Sequence, residues 1–224
     1  MPHIVTLDGP AGAGKSTLAR HLARTLGWTY LDTGAMYRAV TWAALERDID
    51  LDDTKALGVL AHALRLSLTP GPDGTRVEAD GRDVTEAIRS AEVTGRVSIV
   101  AAVAEVREAM VAEQRRLGSD RDLVAEGRDM GTVVFPAAPL KVYVTASPSV
   151  RAQRRAAELE RAGRSVDVAA LEQELVARDA LDSGRDVAPL RPAADARHLL
   201  TDGQDVPTLL EKLLGWVDEI RQTP

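Results

Sequence analysis

The sequence contains no cysteine and no asparagine. The first absence excludes disulfides, thiolate metal sites and a cysteine nucleophile. The second removes the Asn-Lys-x-Asp signature typical of guanine-reading switch modules. Lysine is scarce as well, with 4 lysines against 24 arginines. A GC-rich genome or a hot habitat gives such a bias, so the arginine excess alone says nothing about function. Positive charge is short overall: the net charge is −6 and aromatic residues make up 3 % of the chain. That balance argues against general nucleic-acid affinity and against a basic, aromatic-rich surface for single strands. No run of about 18 apolar residues is present. The N-terminus lacks the basic-then-apolar layout of a secretory signal. A soluble cytoplasmic protein with no membrane partner is the expectation, with a monomer as the default. The four histidines, His3, His21, His62 and His198, have no metal-ligand spacing, and no local signal supports a Ser–His–Asp arrangement.

What is present is enough for a core. The chain has 224 residues, 45 % of them hydrophobic, which suits one domain with an inserted piece or two small domains. Its organising stretch is Gly9, Pro10, Ala11, Gly12, Ala13, Gly14, Lys15, Ser16, which fits G-x-x-x-x-G-K-[ST] at every fixed position. The flanks fit too. His3–Leu7 is a short apolar run readable as a buried strand. Leu18, Ala19, Leu22, Ala23 and Leu26 recur at helical spacing, and Gly27 follows as a stop. Strand, glycine loop and helix start form an anion cradle of backbone N–H groups aided by the helix dipole. Lys15 brings a full charge to the outer phosphates, and the Ser16 hydroxyl can hold Mg²⁺. The loop predicts a nucleoside triphosphate without saying what happens to it. A plain Gly-rich turn is the bland alternative.

Further along, Trp28–Leu31 reads as a strand ending at Asp32, followed by a helix to about Leu45. Asp52 or Asp53 caps a helix to about Leu64. Leu66–Thr69 and Arg76–Ala79 alternate around Pro70–Gly74, a hairpin signal, and Asp80-Gly81 marks a second tight turn. Antiparallel strands do not belong among βαβ repeats, so about 65–90 reads as part of a small insert, with 1–64 and 91–224 forming the core. One or two helices span about 91–116. Strands follow at Leu123–Ala125, Leu140–Thr145 and His198–Thr201. Helices start at Pro148, running to Gly163, at Asp167, running to about Leu181, and at Pro207. The alternation predicts a doubly wound parallel sheet flanked by helices, with ligands beyond the strands' carboxyl ends.

Polar clusters sit at those strand ends: the glycine loop after the first, Asp32-Thr33 with Arg38 after the second, and Arg128-Asp129 after the third. Glycines around Arg128-Asp129 permit close backbone approach to a ligand, although a surface turn is the alternative. Arg128 could hold a phosphate bidentately, and Asp129 could accept from a base amino group or align Arg128. Arg178, Asp182 and Arg185 share one helix face if the helix continues, either as a solvated ion-pair face or as a site at its end. Arg151, Arg154 and Arg155 are either an exposed basic face or lid arginines that reach a transferring phosphoryl group.

The runs Asp8–Thr17, Leu31–Arg38 and Glu126–Pro136, with the distal pattern from Arg178-Asp179 through Asp182 and Arg185 to Pro189-Leu190, resemble the bacterial cytidylate kinase family nearly end to end. The resemblance implies transfer of the ATP γ-phosphoryl group to CMP or dCMP. It also implies a P-loop fold with a small NMP-binding insert, matching 65–90, and a short helical lid at about 148–166. Carried over, Gly9 through Gly14 with Lys15, Ser16 and Thr17 would hold ATP, with Mg²⁺ on Ser16. Thr33, Arg178 and Asp182 would face the pentose, and Tyr37 would line the pocket. Arg38 and Arg128 would hold the monophosphate. Ser98, Arg107, Asp129 and Arg185 would read the cytosine. Arg151 and Arg154 match the lid arginines. Lys15, Arg128, Arg151, Arg154 and Arg178 are thus the expected catalytic set. The sequence departs at Leu181, where the family can carry an arginine, and at Ser16, which follows the lysine where a Gly-Lys-Gly loop variant has glycine. The competing readings are another small-acceptor kinase on the same fold, for UMP, dTMP or shikimate, and a non-catalytic nucleotide switch.

Overall fold

The computed structural model describes residues 2–71, 74–161, 163 and 165–222. The centre of the predicted hairpin turn, Pro72-Asp73, lies outside the described residues, as do Ala162 and Arg164 of the predicted lid. Five parallel strands form the main sheet in the order β2-β6-β1-β7-β8. They are β1 Ile4–Asp8, β2 Thr29–Asp32, β6 Leu123–Gly127, β7 Leu140–Thr145 and β8 Arg197–Leu200. Each is close to its sequence-predicted span. Between them run α1 Lys15–Leu26, α2 Thr33–Glu46, α3 Thr54–Ala63, α4 Ala91–Val100, α5 Ala104–Leu117, α6 Pro148–Arg161 and α7 Val168–Ser183, with α8 Val206–Gln222 last.

Local chemistry sets the boundaries. Gly27 ends α1 with φ at 68°, the left-handed turn that glycine tolerates. Asp53 caps α3 by accepting from the Ala56 N–H, and Asp167 caps α7 by accepting from those of Ala169 and Ala170. β6 shows why a parallel strand reads as an unbroken apolar run. Leu123 and Ala125 pack into the core beneath α2 and α5, while Val124 between them packs beneath α1 and α8. Each fully buried aliphatic side chain, such as Leu7, Leu18 or Leu22, contributes roughly 1.5–3 kcal/mol.

Within the segment read as an insert, β3 Leu66–Gly71, β4 Gly74–Ala79 and β5 Arg82–Asp83 form a separate antiparallel sheet. β3 and β4 run further toward the turn than the alternation alone predicts, pairing as far as Gly71 with Gly74. Asp80 and Gly81 both have positive φ, as a two-residue hairpin turn requires. Among the described residues no helix is long and apolar enough to cross a membrane.

Candidate functional site

All five sheet strands point their carboxyl ends the same way. The loops that follow β1, β2 and β6 therefore open into one cleft of about 790 Å³. The phosphate loop forms one wall. Gly9 (φ +147°) passes so close to β7 that a Cβ there would lie 2.0 Å from the Val144 carbonyl oxygen. Gly12 and Gly14 also have positive φ, and Gly14 caps α1. Lys15 is buried at the start of α1, and its Nζ donates to the Pro10 carbonyl at 2.6 Å. Burial, with Arg128 nearby, lowers its pKa to about 7, against the pull of Glu126 and Asp8.

The opposite wall is a lattice of arginines and carboxylates. Arg107 of α5 pairs with Asp129 in full burial, with its guanidinium 5.5 Å from the centre of the Tyr37 ring. Burial drives the Asp129 carboxyl up, and Arg107 and Arg185 oppose it. Arg128 Nε donates to Asp182 Oδ2 at 2.8 Å, and Ser98 Oγ donates to Asp182 Oδ1 at 3.1 Å. Burial alone would raise the Asp182 carboxyl, but Arg128, Arg178 and Arg185 together outweigh it and hold the group below the usual carboxylate range. Arg178 stands among these groups with its Nε buried and without a hydrogen-bond partner. Burial and the Arg128 charge lower its pKa to about 10.

The structure thus brings together in one cleft Lys15, Ser16, Thr17, Thr33, Tyr37, Arg38, Ser98, Arg107, Arg128, Asp129, Arg154, Arg178, Asp182 and Arg185. Gly74, Thr75 and Arg89 of the insert region line it as well.

Two expectations are placed differently. α7 ends at Ser183, so Arg185 does not continue the helix face of Arg178 and Asp182. Gly184 ends the helix and the Leu190 N–H donates to the Asp182 carbonyl, which turns the chain. Arg185 still arrives in the cleft, held by the Asp182 and Ala188 carbonyls. Arg151 is not among the cleft-lining residues. It is buried against the loop backbone, donating to the Ala11 carbonyl at 3.0 Å and to Asp179 at 2.5 Å. Arg154 lines the cleft while donating to the Thr201 hydroxyl and carbonyl. Leu181 is exposed on α7.

Sequence reasoning gave three buried strand-end carboxylates, Asp8, Asp32 and Glu126, no role of their own. Asp8 accepts from the Met130 and Gly131 N–H groups, both at 2.8 Å. It thereby ties the phosphate loop to the π-helical turn Met130–Val134 that follows Arg128-Asp129. Burial pushes its pKa up to about 6. Asp32 caps α2 and pairs with Arg38 at 3.1 Å. Glu126 accepts from Ser16 Oγ at 2.9 Å and from the Tyr30 hydroxyl, and burial drives its carboxyl up. Their signal was position: each is an acid at the last or next-to-last residue of a parallel strand.

No group of three or more His, Cys, Asp or Glu side chains among the described residues could hold a metal by itself. The Ser16 hydroxyl beside the Glu126 carboxylate offers hard oxygen donors. That set fits Mg²⁺, which takes one or two protein oxygens and completes its shell with waters and phosphate oxygens.

Comparison with known proteins places these features. A family model described as cytidylate kinase matches residues 5–219. A bifunctional pantoate ligase/cytidylate kinase of Prochlorococcus marinus (strain MIT 9303) is 53 % identical over 213 residues, covering 94 % of this chain and 44 % of the relative. One from Trichormus variabilis (strain ATCC 29413 / PCC 7937) is 47 % identical over 220 residues, covering 96 % and 41 %. The chain spans less than half the length of these relatives. Among solved structures, an uncharacterized protein from Eubacterium ventriosum ATCC 27560 aligns with a TM-score of 0.53 at 12 % identity, covering 98 % of this chain and 99 % of that one. A gluconokinase from Sinorhizobium meliloti 1021 aligns at 0.50 and 14 % identity, covering 98 % and 93 %. These two likenesses speak for the fold alone. The match running from the first strand into the last helix carries the assignment: this chain belongs to the cytidylate kinase family.

Proposed function

We propose that the chain transfers the γ-phosphoryl group of ATP to CMP or dCMP, giving ADP with CDP or dCDP. The observation that carries this reading is the two-walled cleft, with a phosphate loop and Lys15 on one side and a buried arginine–carboxylate lattice on the other. Such transfer needs positioning and charge stabilisation, with little covalent work for the protein. The acceptor phosphate, with a second pKa of about 6, is largely ionised near neutral pH and needs no strong general base.

ATP lies with its phosphates on the backbone N–H groups of the loop from Ala11 to Thr17. Ser16 and Glu126 would hold Mg²⁺, which would offset charge on the phosphate oxygens. Arg38 and Arg128 hold the acceptor phosphate, and Arg178 and Asp182 with Thr33 hold the pentose. Asp129 accepts from the cytosine amino group, while Arg107 and Arg185 donate toward its acceptor atoms. Uracil, with a carbonyl at C4, faces the Asp129 carboxylate without a partner. Lys15 and Arg154 steady the transferring group, and Arg151 shapes the loop from behind. Gly74, Thr75 and Arg89 of the 65–90 region line the cleft beside the acceptor. The reading extends to a monomer with two small-molecule substrates and no nucleic-acid partner, working in the cytoplasm. Measuring ADP formed from ATP and Mg²⁺ with CMP, dCMP, UMP, dTMP and shikimate in turn tests this. Rates should be highest with CMP and dCMP. A preference for shikimate or dTMP, or acceptor-independent hydrolysis, rejects it.

A further inference from the structure

In a parallel sheet, residues in register share a face. Tyr30 is opposite Val124, Asp32 is opposite Glu126, and Glu126 is opposite Leu7. All five therefore face the layer of α1, whose first turn carries Ser16. Tyr30 packs against that core and reaches diagonally to Glu126. Its hydroxyl donates to Glu126 Oε1, and the Ser16 hydroxyl donates to Glu126 Oε2 at 2.9 Å. Each oxygen of this buried carboxylate is thus fixed by a different hydroxyl. A phenylalanine would fill the same space on β2, so packing does not account for the Tyr30 oxygen.

We infer that Tyr30 is a positioning residue for the donor's metal: by anchoring one oxygen of Glu126, it presets the other oxygen and the Ser16 hydroxyl as an oxygen pair for Mg²⁺. This rests on the kinase reading of the cleft. The anchor works by preorganisation, since a carboxylate already in place gives up little rotamer freedom when the cation arrives. Outer-shell partners of this kind change metal affinity by about 10- to 100-fold.

The test is calorimetric binding of a non-hydrolysable ATP analogue to wild type and Tyr30→Phe, with Mg²⁺ and with EDTA. In Tyr30→Phe the metal-free affinity stays within about twofold, while the tightening produced by Mg²⁺ shrinks by about tenfold. Glu126→Gln shows a shrinkage at least as large, and adding Tyr30→Phe to it changes nothing further, because no carboxylate is left for Tyr30 to anchor. The KM for CMP does not change in Tyr30→Phe. An undiminished or larger Mg²⁺ effect in Tyr30→Phe overturns the inference. An equal loss with and without metal, accompanied by a lower melting temperature, reduces Tyr30 to a structural residue and also overturns it. A wild-type chain that binds no analogue in either condition overturns the kinase reading itself, and this inference with it.

Discussion

Arg107 and Asp129 form an ion pair in which each side chain is 3 % exposed. Removing one partner of such a pair strands the other charge in a medium that cannot solvate it. The pair also lines the part of the cleft proposed to take the acceptor base, so it is expected to serve both stability and base choice.

Asp129→Asn keeps the shape but not the charge. The variant should lose about 3 kcal/mol of stability, because Arg107 stays buried without its counter-charge. At a temperature where it remains folded, its preference for CMP over UMP in kcat/KM should fall by at least about tenfold. Unchanged discrimination removes Asp129 from the base readout.

Lys15→Ala should lower kcat by at least about 100-fold, since one charge contact made in the transition state is commonly worth about 3 kcal/mol. Steady-state kinetics with saturating ATP and CMP measures it. A variant with near-normal turnover takes Lys15 out of the chemistry.

The lowered Lys15 pKa has a second consequence. The folded value is about 7 against an ordinary 10.5. Between those values the unfolded chain binds more protons, so from this group stability rises with pH across that window. Below about 7 the cost of burying the charge is present in full. Phosphate favours the protonated amine, so binding of an ATP analogue at pH 8 should take up close to one proton. Calorimetry in two buffers of different ionisation enthalpy measures the uptake, and Lys15→Ala should abolish it. Equal uptake in wild type and variant contradicts the assignment.

Arg178 is held at a cost, with its Nε unpartnered and its charge opposed by Arg128. Arg178→Met, similar in bulk and uncharged, should leave the melting temperature equal or higher while lowering kcat/KM by about 100-fold or more. A variant that keeps its activity denies Arg178 its substrate contact.

The fold was largely legible in the chain because periodicity and caps act locally. Gly27, Asp53 and Asp167 end or start their helices where the sequence signals stand. The phosphate loop was legible because its glycines and Lys15 are contiguous. The carboxylate network was not. Asp8 reaches Met130 across 122 positions, and Ser16 reaches Glu126 across 110. Only the strand order β2-β6-β1 brings those segments together, and nothing in the local pattern states that order. Arg151 reads as a lid arginine for the same reason, since its burial against Ala11 depends on how α6 packs beside the loop.

The most direct measurement is the product formed by the purified chain from CMP, ATP and Mg²⁺. The account predicts CDP and ADP in equal amounts, with no ADP released when CMP is left out. Release of ADP and inorganic phosphate without any CDP would contradict it.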